Sequence, residues 1–397
     1  MTTSVLPSEV QLCPAPQRDG TRRFYHPELD ALRFGAFGLV FLHHAFPHDA
    51  AALVAMGVPH LPAVWLAGAS VSGAFGVDLF FVLSSYLITE LLLREKSQRG
   101  SVDLKSFYIR RILRIWPLYF CFLALAGLMT LFVPGQQIGW RCGVAFTLLA
   151  GNWWIVFQGF PSSVIFPLWS VSIEEQFYLS WPSLVRRASE RTITLAACGM
   201  LAVATGTRIW LGLHHTWESK VWSNTFAQLD PIAAGILLAV LLHGSAPQLT
   251  RLTRVALALG GIACLALAGN YFIIKGDPLT TMRIAIGYPV MTLGAVCLLL
   301  SVLHEQAETR KKPALAWRAL IYLGKISYGL YVFHILGLFL SDYVVHDQQS
   351  SFARYMLRVA VALTATLLLS AASFRWLESP FLRMKQRFTH VLSRPGG

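Results

Sequence analysis

Long apolar runs alternate with short polar ones along most of this chain. Runs long enough to cross a bilayer, or nearly so, fall at about 32–47, 75–93, 115–133, 143–157, 170–186, 192–212, 226–243, 254–273, 283–303, 319–341 and 355–375. The pattern predicts an all-α polytopic membrane protein. Positive charge indicates which runs cross. Lys and Arg gather in the N-terminal tail (Arg18, Arg22, Arg23), in 94–114, 186–191, 251–254 and 310–318, and in the C-terminal tail. All of these segments fall on one side only if 143–157 dips in without crossing. The prediction is therefore about ten transmembrane helices, a re-entrant or interfacial segment at 143–157, and cytoplasmic N and C termini. The loop at 48–74, which has no Lys or Arg, then lies outside.

Composition agrees with this pattern. The 397 residues are 55% hydrophobic and 13% charged, against about a quarter charged in soluble domains. A net charge of +13 could point to nucleic acid, but its placement in short loops is the positive-inside pattern. Residues 1–28 have no apolar segment of signal-peptide type, so they read as a cytoplasmic tail. Residues 29–378 read as one membrane domain and 379–397 as a C-terminal tail, with no repeat of transporter type. The cysteines are scattered without metal-ligand spacing, so neither a metal site nor a disulfide framework is expected.

Against this background the ionisable groups inside apolar runs stand out, because each is costly in hydrocarbon. In "LDALRFGAFGLVFLHHAF", Arg33 and His44 are eleven positions apart, about three helical turns plus 20°, so they share a face roughly 16 Å apart along the axis. His43 points about 80° away, and Asp30 can pair with Arg33 one turn on. With the predicted topology, Asp78, Glu174, Glu175, Asp230 and His334 come from four further helices to the outer half, where they would line a polar cavity with His44. On the opposite side, "KSFYIRRILRIWPLY" places Arg110, Arg111 and Arg114 at a helix entry. Arg111 and Arg114, one turn apart, form a fork suited to phosphate. The plainer alternatives stay open: a topological anchor for the arginines, helix-dipole stabilisation for Glu174, Glu175 and Asp230, and packing roles for His43, His214, His215 and His243.

The residues resemble the acyltransferase 3 family of integral membrane acyltransferases. The likeness runs over about 26–382, in "LDALRFGAFGLVFLHH", "GVDLFFVLSSYLI", "FYIRRILRIWPLY", "LWSVSIEEQFYLSWP", "LDPIAAGILLA", "LGKISYGLYVFH" and "FRWLESPF". Each piece is weak alone; their common order carries the assignment. The resemblance implies an enzyme of the bacterial inner membrane. It would move an acyl group, acetyl most commonly, from cytoplasmic acyl-CoA to a hydroxyl of a glycan or glycolipid. The resemblance makes His44 the essential catalytic residue and gives importance to Arg33, Arg111, Arg114, Glu174, Glu175, Tyr328 and His334. An imidazole suits a general base taking the alcohol proton; the alternative makes His44 a transient acyl carrier. Where the family reads "SGFLI", this chain has Ser85 and Tyr86, and Tyr86 would change the cavity lining. No esterase-like domain of the kind some relatives carry is read here, so transfer to a distant glycan would need a partner. A proton-coupled transporter relaying through Asp78, Glu174 and His334 is the competing reading.

Overall fold

The computed structural model describes residues 26–214, 218–242, 245–273, 281–303, 314–346 and 351–388. The expected tail arginines Arg18, Arg22 and Arg23, His215, His243 and the basic residues at 310–312 lie outside these. Among the described residues every regular element is helical.

Pro27 opens α1 (Pro27–Ala45), at the position where its missing N–H would be unsatisfied anyway. The stretch after it, which has no Lys or Arg, is not an extended loop. Its Ala, Leu and Val residues form α2 (Ala50–Ala55) and α3 (His60–Gly73), and α3 leads almost without pause into α4 (Gly76–Arg99). Asp103 caps α5 (Leu104–Phe132) by accepting from the Ser106 N–H at 3.1 Å.

The segment at 143–157 is broken in two, as α6 (Trp140–Thr147) and α7 (Gly151–Gln158). Eight residues rise only about 12 Å, well short of an apolar core of about 30 Å. Leu149, at φ 56°, makes the turn between them in a left-handed conformation that side chains rarely adopt. Asn152 of the "GNWW" stretch is fully buried and docks α7. Its amide donates to Thr225 Oγ1 at 2.9 Å, and its carbonyl oxygen accepts from Gln176 at 2.9 Å.

Gln176 belongs to α8 (Leu168–Arg187), which is followed by α9 (Glu190–Leu213), the short α10 (Glu218–Trp222), α11 (Leu229–Leu242), α12 (Arg251–Leu267) and α13 (Thr281–Val302). The chain closes with α14 (Leu315–Lys325), α15 (Ser327–Val344), α16 (Phe352–Ser373) and α17 (Ser379–Lys385). α14 and α15 meet at Ile326 with a bend of 75°.

By length and apolar composition, six described stretches can cross a membrane: His60–Arg99, Leu104–Phe132, Glu190–Leu213, Arg251–Asn270, Thr281–Val302 and Phe352–Lys385. The bent α14–α15 pair makes a seventh. α1 and α8 carry charged groups, and α11 has only 14 residues. Those three separate this number from the expected ten.

α4 sits at the centre, packed along α11 and against α1, α8 and α13. A Cβ on Gly235 of α11 would meet Ser85 Oγ, so the two backbones can approach closely there. Ser85, standing where a glycine is usual, turns its hydroxyl back onto the Phe81 carbonyl at 2.8 Å and is accommodated by that glycine across the interface. Tyr86 is buried among α1, α4, α11 and α13 residues and is not part of the lining of the cavity described below. Around this centre the outer helices turn apolar side chains outward: Leu241, Leu252 and Leu259 are 78%, 79% and 64% exposed. Such a surface needs lipid around it. The molecule is a multi-pass membrane protein.

Candidate functional site

α1, α4, α5, α8 and α15 enclose a cavity of about 1250 Å³, counting the space at its open mouth. An apolar cleft with a few convergent polar groups is the usual form of a small-molecule site. One part of the wall is basic, with Arg33, Arg111, Arg114 and Lys385. The other is apolar, with Val77, Phe80, Phe81, Leu87, Ile88 and Val171.

Arg33 is held by Asp30 at 3.1 Å, the pairing expected one turn apart. Arg111 is placed differently. Its guanidinium lies 5.5 Å from the Phe107 ring centre and 5.4 Å from that of Tyr178. Among the described residues it makes no hydrogen bond or ion pair, and its Nε is buried without a partner. Two aromatic faces thus preorganise a cation whose hydrogen-bonding edge is unused. Glu174 accepts from Ser84 at 2.7 Å and from Tyr178 at 3.3 Å. Tyr328 donates to the Ile115 carbonyl at 3.0 Å, tying α15 to α5 at the cavity wall.

Two of the expected site residues turn aside. Arg110 pairs with Glu95 at 3.1 Å and donates to the Phe388 carbonyl at 2.7 Å, so it fastens α5 to α4 and the C-terminal segment. Glu175 accepts from the Trp116 indole at 3.1 Å and does not line the cavity.

The histidines lie beyond the cavity's apolar end. His44 Nδ1 is 2.9 Å from the Val40 carbonyl, which can only accept, so the network assigns the proton to Nδ1. The same N–H faces His334 Nε2 at 3.3 Å. His334 in turn donates from Nδ1 to the Tyr331 carbonyl, which leaves its Nε2 as an acceptor. His44 Nε2 therefore keeps a lone pair, and it has no hydrogen-bond partner among the described residues. Such an imidazole can accept a proton, and His334 can stabilise the cation that results. His43 is committed elsewhere: it donates to the Ser70 carbonyl at 3.0 Å and stacks on His48 at 4.3 Å.

Asp78 and Asp230 belong to a third place, reached from the opposite side of α4. Arg208, fully buried, donates to Asp230 at 2.7 Å and to the Ala227 carbonyl at 2.8 Å. It stands 4.9 Å from the Tyr288 ring centre, and Thr292 donates to the other Asp230 oxygen at 2.9 Å. Asp78 is within electrostatic range of both and has no hydrogen-bond partner on either carboxylate oxygen among the described residues. The single polar cavity expected from the sequence is thus corrected to three separate groups. Helical rotation sends Asp78 and Ser84, six residues apart, to different sides of α4.

Ser84, Ser170, Tyr178, Tyr331 and Lys385 line the cavity and escaped the sequence reading, as did Arg208 behind it. Tyr178 follows Glu174 by one turn, a spacing that could have found it. Arg208 was legible as an arginine inside an apolar run. Lys385 lies past the last long run and gives no such signal.

The comparisons with known proteins bear on the whole architecture. The acyltransferase domain model of the acyltransferase 3 family matches residues 26–375, and the chain belongs to that family. SAS0844 of Staphylococcus aureus strain MSSA476 is 28% identical over 376 residues, covering 90% of this chain and 57% of its own length. The O-acetyltransferase OatA of Staphylococcus aureus strain NCTC 8325 is 29% identical over 372 residues, with the same coverage. The chain therefore spans little more than half the length of these relatives. No solved structure matches it.

Proposed function

We propose that this chain is a membrane-bound O-acyltransferase of the bacterial inner membrane. It takes an acyl group, acetyl in the first instance, from acyl-CoA and delivers it to a hydroxyl of a glycan, glycolipid or related acceptor. The observation that carries this is the cavity: a basic part of its wall holds an arginine with no ion pair among the described residues, and the ring of Tyr331, also in the wall, lies 5.5 Å from that of His334, the neighbour of His44.

In this reading Arg111, Arg114 and Lys385 bind the phosphates of CoA, with Arg33 beside them. Phe80, Phe81 and Ile88 receive the pantetheine arm. His44 Nε2 takes the proton of the acceptor hydroxyl as its oxygen attacks the thioester carbonyl. The C–S bond then breaks, and His44 returns the proton to the leaving thiolate, giving the ester and free CoA thiol. His334 holds the His44 tautomer and shares the transient positive charge, a positioning role. His44 as a transient acyl carrier is the other route, and it keeps the same geometry.

The topology that suits this chemistry has ten crossings, with α1, α8 and α11 shielded by their neighbours. The termini and the arginine end of the cavity then lie in the cytoplasm, where acyl-CoA is made. A proton-coupled transporter fits less well. Asp78, Glu174 and His334 face three different groups of partners, and no hydrogen-bond chain joins them among the described residues.

The test is thiol release from acetyl-CoA by the purified full chain, with soluble glycans and lipid-linked sugars as acceptors. His44→Ala should lower turnover by about 10²–10⁴-fold, the range for losing a general base, while CoA still stabilises the protein in a thermal-shift series. His43→Ala should stay close to wild type. Equal losses in the two variants would sink the assignment of the base to His44.

A further inference from the structure

His44 is not among the residues that line the cavity, and two lining residues on the side towards the histidines are hydrogen-bonded to each other. Three helices cross the boundary. On α15, Ser327, Tyr328 and Tyr331 line the cavity, whereas His334, about 4.5 Å further along the axis, lies beyond it. On α8, Ser170 lines the cavity, whereas the Phe166 ring, just before the helix, stands 5.6 Å from the His44 ring. On α1, Arg33 lines the cavity and His44 does not.

Tyr331 and Ser170 occupy the boundary on two of these helices and are bonded to each other at 2.7 Å. The Tyr331 and Ser170 hydroxyls lie 2.9 Å and 3.3 Å from the Pro167 carbonyl, so one can donate to it while the other donates within the pair. Phe80 of α4, which also lines the cavity, meets the Tyr331 ring edge-on at 5.9 Å. The Tyr331 ring is also 5.5 Å from that of His334, so one side chain faces both compartments.

We propose that Tyr331, latched to Ser170 and the Pro167 carbonyl and backed by Phe80, is a movable partition between acyl donor and base. This rests on the donor-cavity reading above. The physical need is plain. A thioester exposed to water beside an imidazole base is hydrolysed, and a permanent polar passage from the cavity to the histidines would also conduct protons. The latch consists of neutral hydrogen bonds, which are individually weak in net terms, so an arriving acyl chain can displace it. The ring then swings aside, the thioester carbonyl comes within reach of His44 Nε2, and the partition closes once the thiol leaves. Tyr331 is a positioning residue here: it excludes water and sets when the two halves meet.

The partition is tested by thiol release from acetyl-CoA with no acceptor added, on the full chain in lipid nanodiscs. In the wild type this hydrolysis should be slow. Tyr331→Ala should raise it tenfold or more, and Tyr331→Phe, which keeps the ring and loses the latch, severalfold. Ser170→Ala, which leaves the Tyr331–Pro167 bond, should raise it above wild type but less than Tyr331→Phe does, so the test survives if Tyr331→Ala does not fold. A CoA thermal-shift series on each variant separates this from a donor site that has collapsed. Variants that bind CoA as wild type does, yet hydrolyse acetyl-CoA no faster, overturn the partition and leave the donor cavity standing. A wild-type protein to which CoA gives no stabilisation overturns the donor reading and the partition with it.

Discussion

α4 carries buried charge on two sides, and the two sides have been settled in opposite ways. Facing α8, Ser84 and Tyr178 hold Glu174, and Arg111 stands nearby between two aromatic rings with no ion pair among the described residues. Facing α9, α11 and α13, Arg208 gives one nitrogen to Asp230 and the Ala227 carbonyl, its Nε and Nη2 stay buried without hydrogen-bond partners among the described residues, and Thr292 holds the second Asp230 oxygen. The first group lines the cavity; the second is not part of its lining. An arginine that has a carboxylate counter-ion spends its charge on holding helices together, whereas one held between aromatic rings keeps its charge for a ligand. The same residue types, a few turns apart, are thus divided by rotation about one helix into framework and site.

The largest effect should come from breaking the framework side. Arg208→Ala leaves Asp230 buried without its cation, a loss of about 3–5 kcal/mol. For a marginally stable domain that is a large share of the total. Thermal unfolding of the purified protein in detergent should show a steep drop in Tm, with poor recovery from membranes. An Arg208→Ala protein of wild-type Tm and reduced CoA affinity would reverse the comparison, making this cluster the ligand site.

On the site side the expectation inverts. Arg111→Ala should leave Tm nearly unchanged, because no ion pair is broken, and should weaken CoA binding by roughly ten- to a hundredfold, as for the loss of a charge-assisted contact worth about 1.5–3 kcal/mol. Arg111→Lys should recover only part, since an ammonium keeps the charge but neither the planar stack on Phe107 and Tyr178 nor the two-pronged edge. Isothermal titration with CoA decides it. Unaltered affinity in an Arg111→Ala, Arg114→Ala double variant would return the cluster to a topological anchor.

Much of this architecture was legible from apolar runs alone, because run length and helix length answer to the same bilayer thickness. The helices at 75–93, 115–133, 192–212, 283–303 and 355–375 all appear, longer at their polar ends than the runs that announced them. The break at 143–157 was legible in "GNWW", whose Asn152 proves to be a buried hydrogen-bonding hub. The stretch 48–74 was misjudged as loop because absence of Lys and Arg was read as topology; its small apolar residues are good helix formers and make α2 and α3. The Arg33–Asp30 pair and the separation of His44 from His43 followed from helical spacing within one element. The division of the carboxylates did not, because it depends on which neighbour each side of α4 meets. That is a tertiary fact with no periodic signature. Tyr331 was hidden for the same reason: its place between two compartments exists only once α8 and α15 are side by side.

The smallest effect expected is the sharpest test of the division. Asp78 is fully buried, and neither of its carboxylate oxygens has a hydrogen-bond partner among the described residues. A charge there gains from Arg208 and loses to Asp230, and it carries the whole desolvation cost. Asp78→Asn keeps the shape and removes the charge. If the side chain is framework, Tm should move little, within the roughly 0.5–1 kcal/mol typical of a neutral exchange, and upward if it moves at all. Thiol release from acetyl-CoA should stay at wild-type level, because nothing connects Asp78 to the cavity or to His44. Loss of turnover in Asp78→Asn at unchanged Tm would place this carboxylate in the chemistry after all. The two sides of α4 would then have to be coupled through the helix itself.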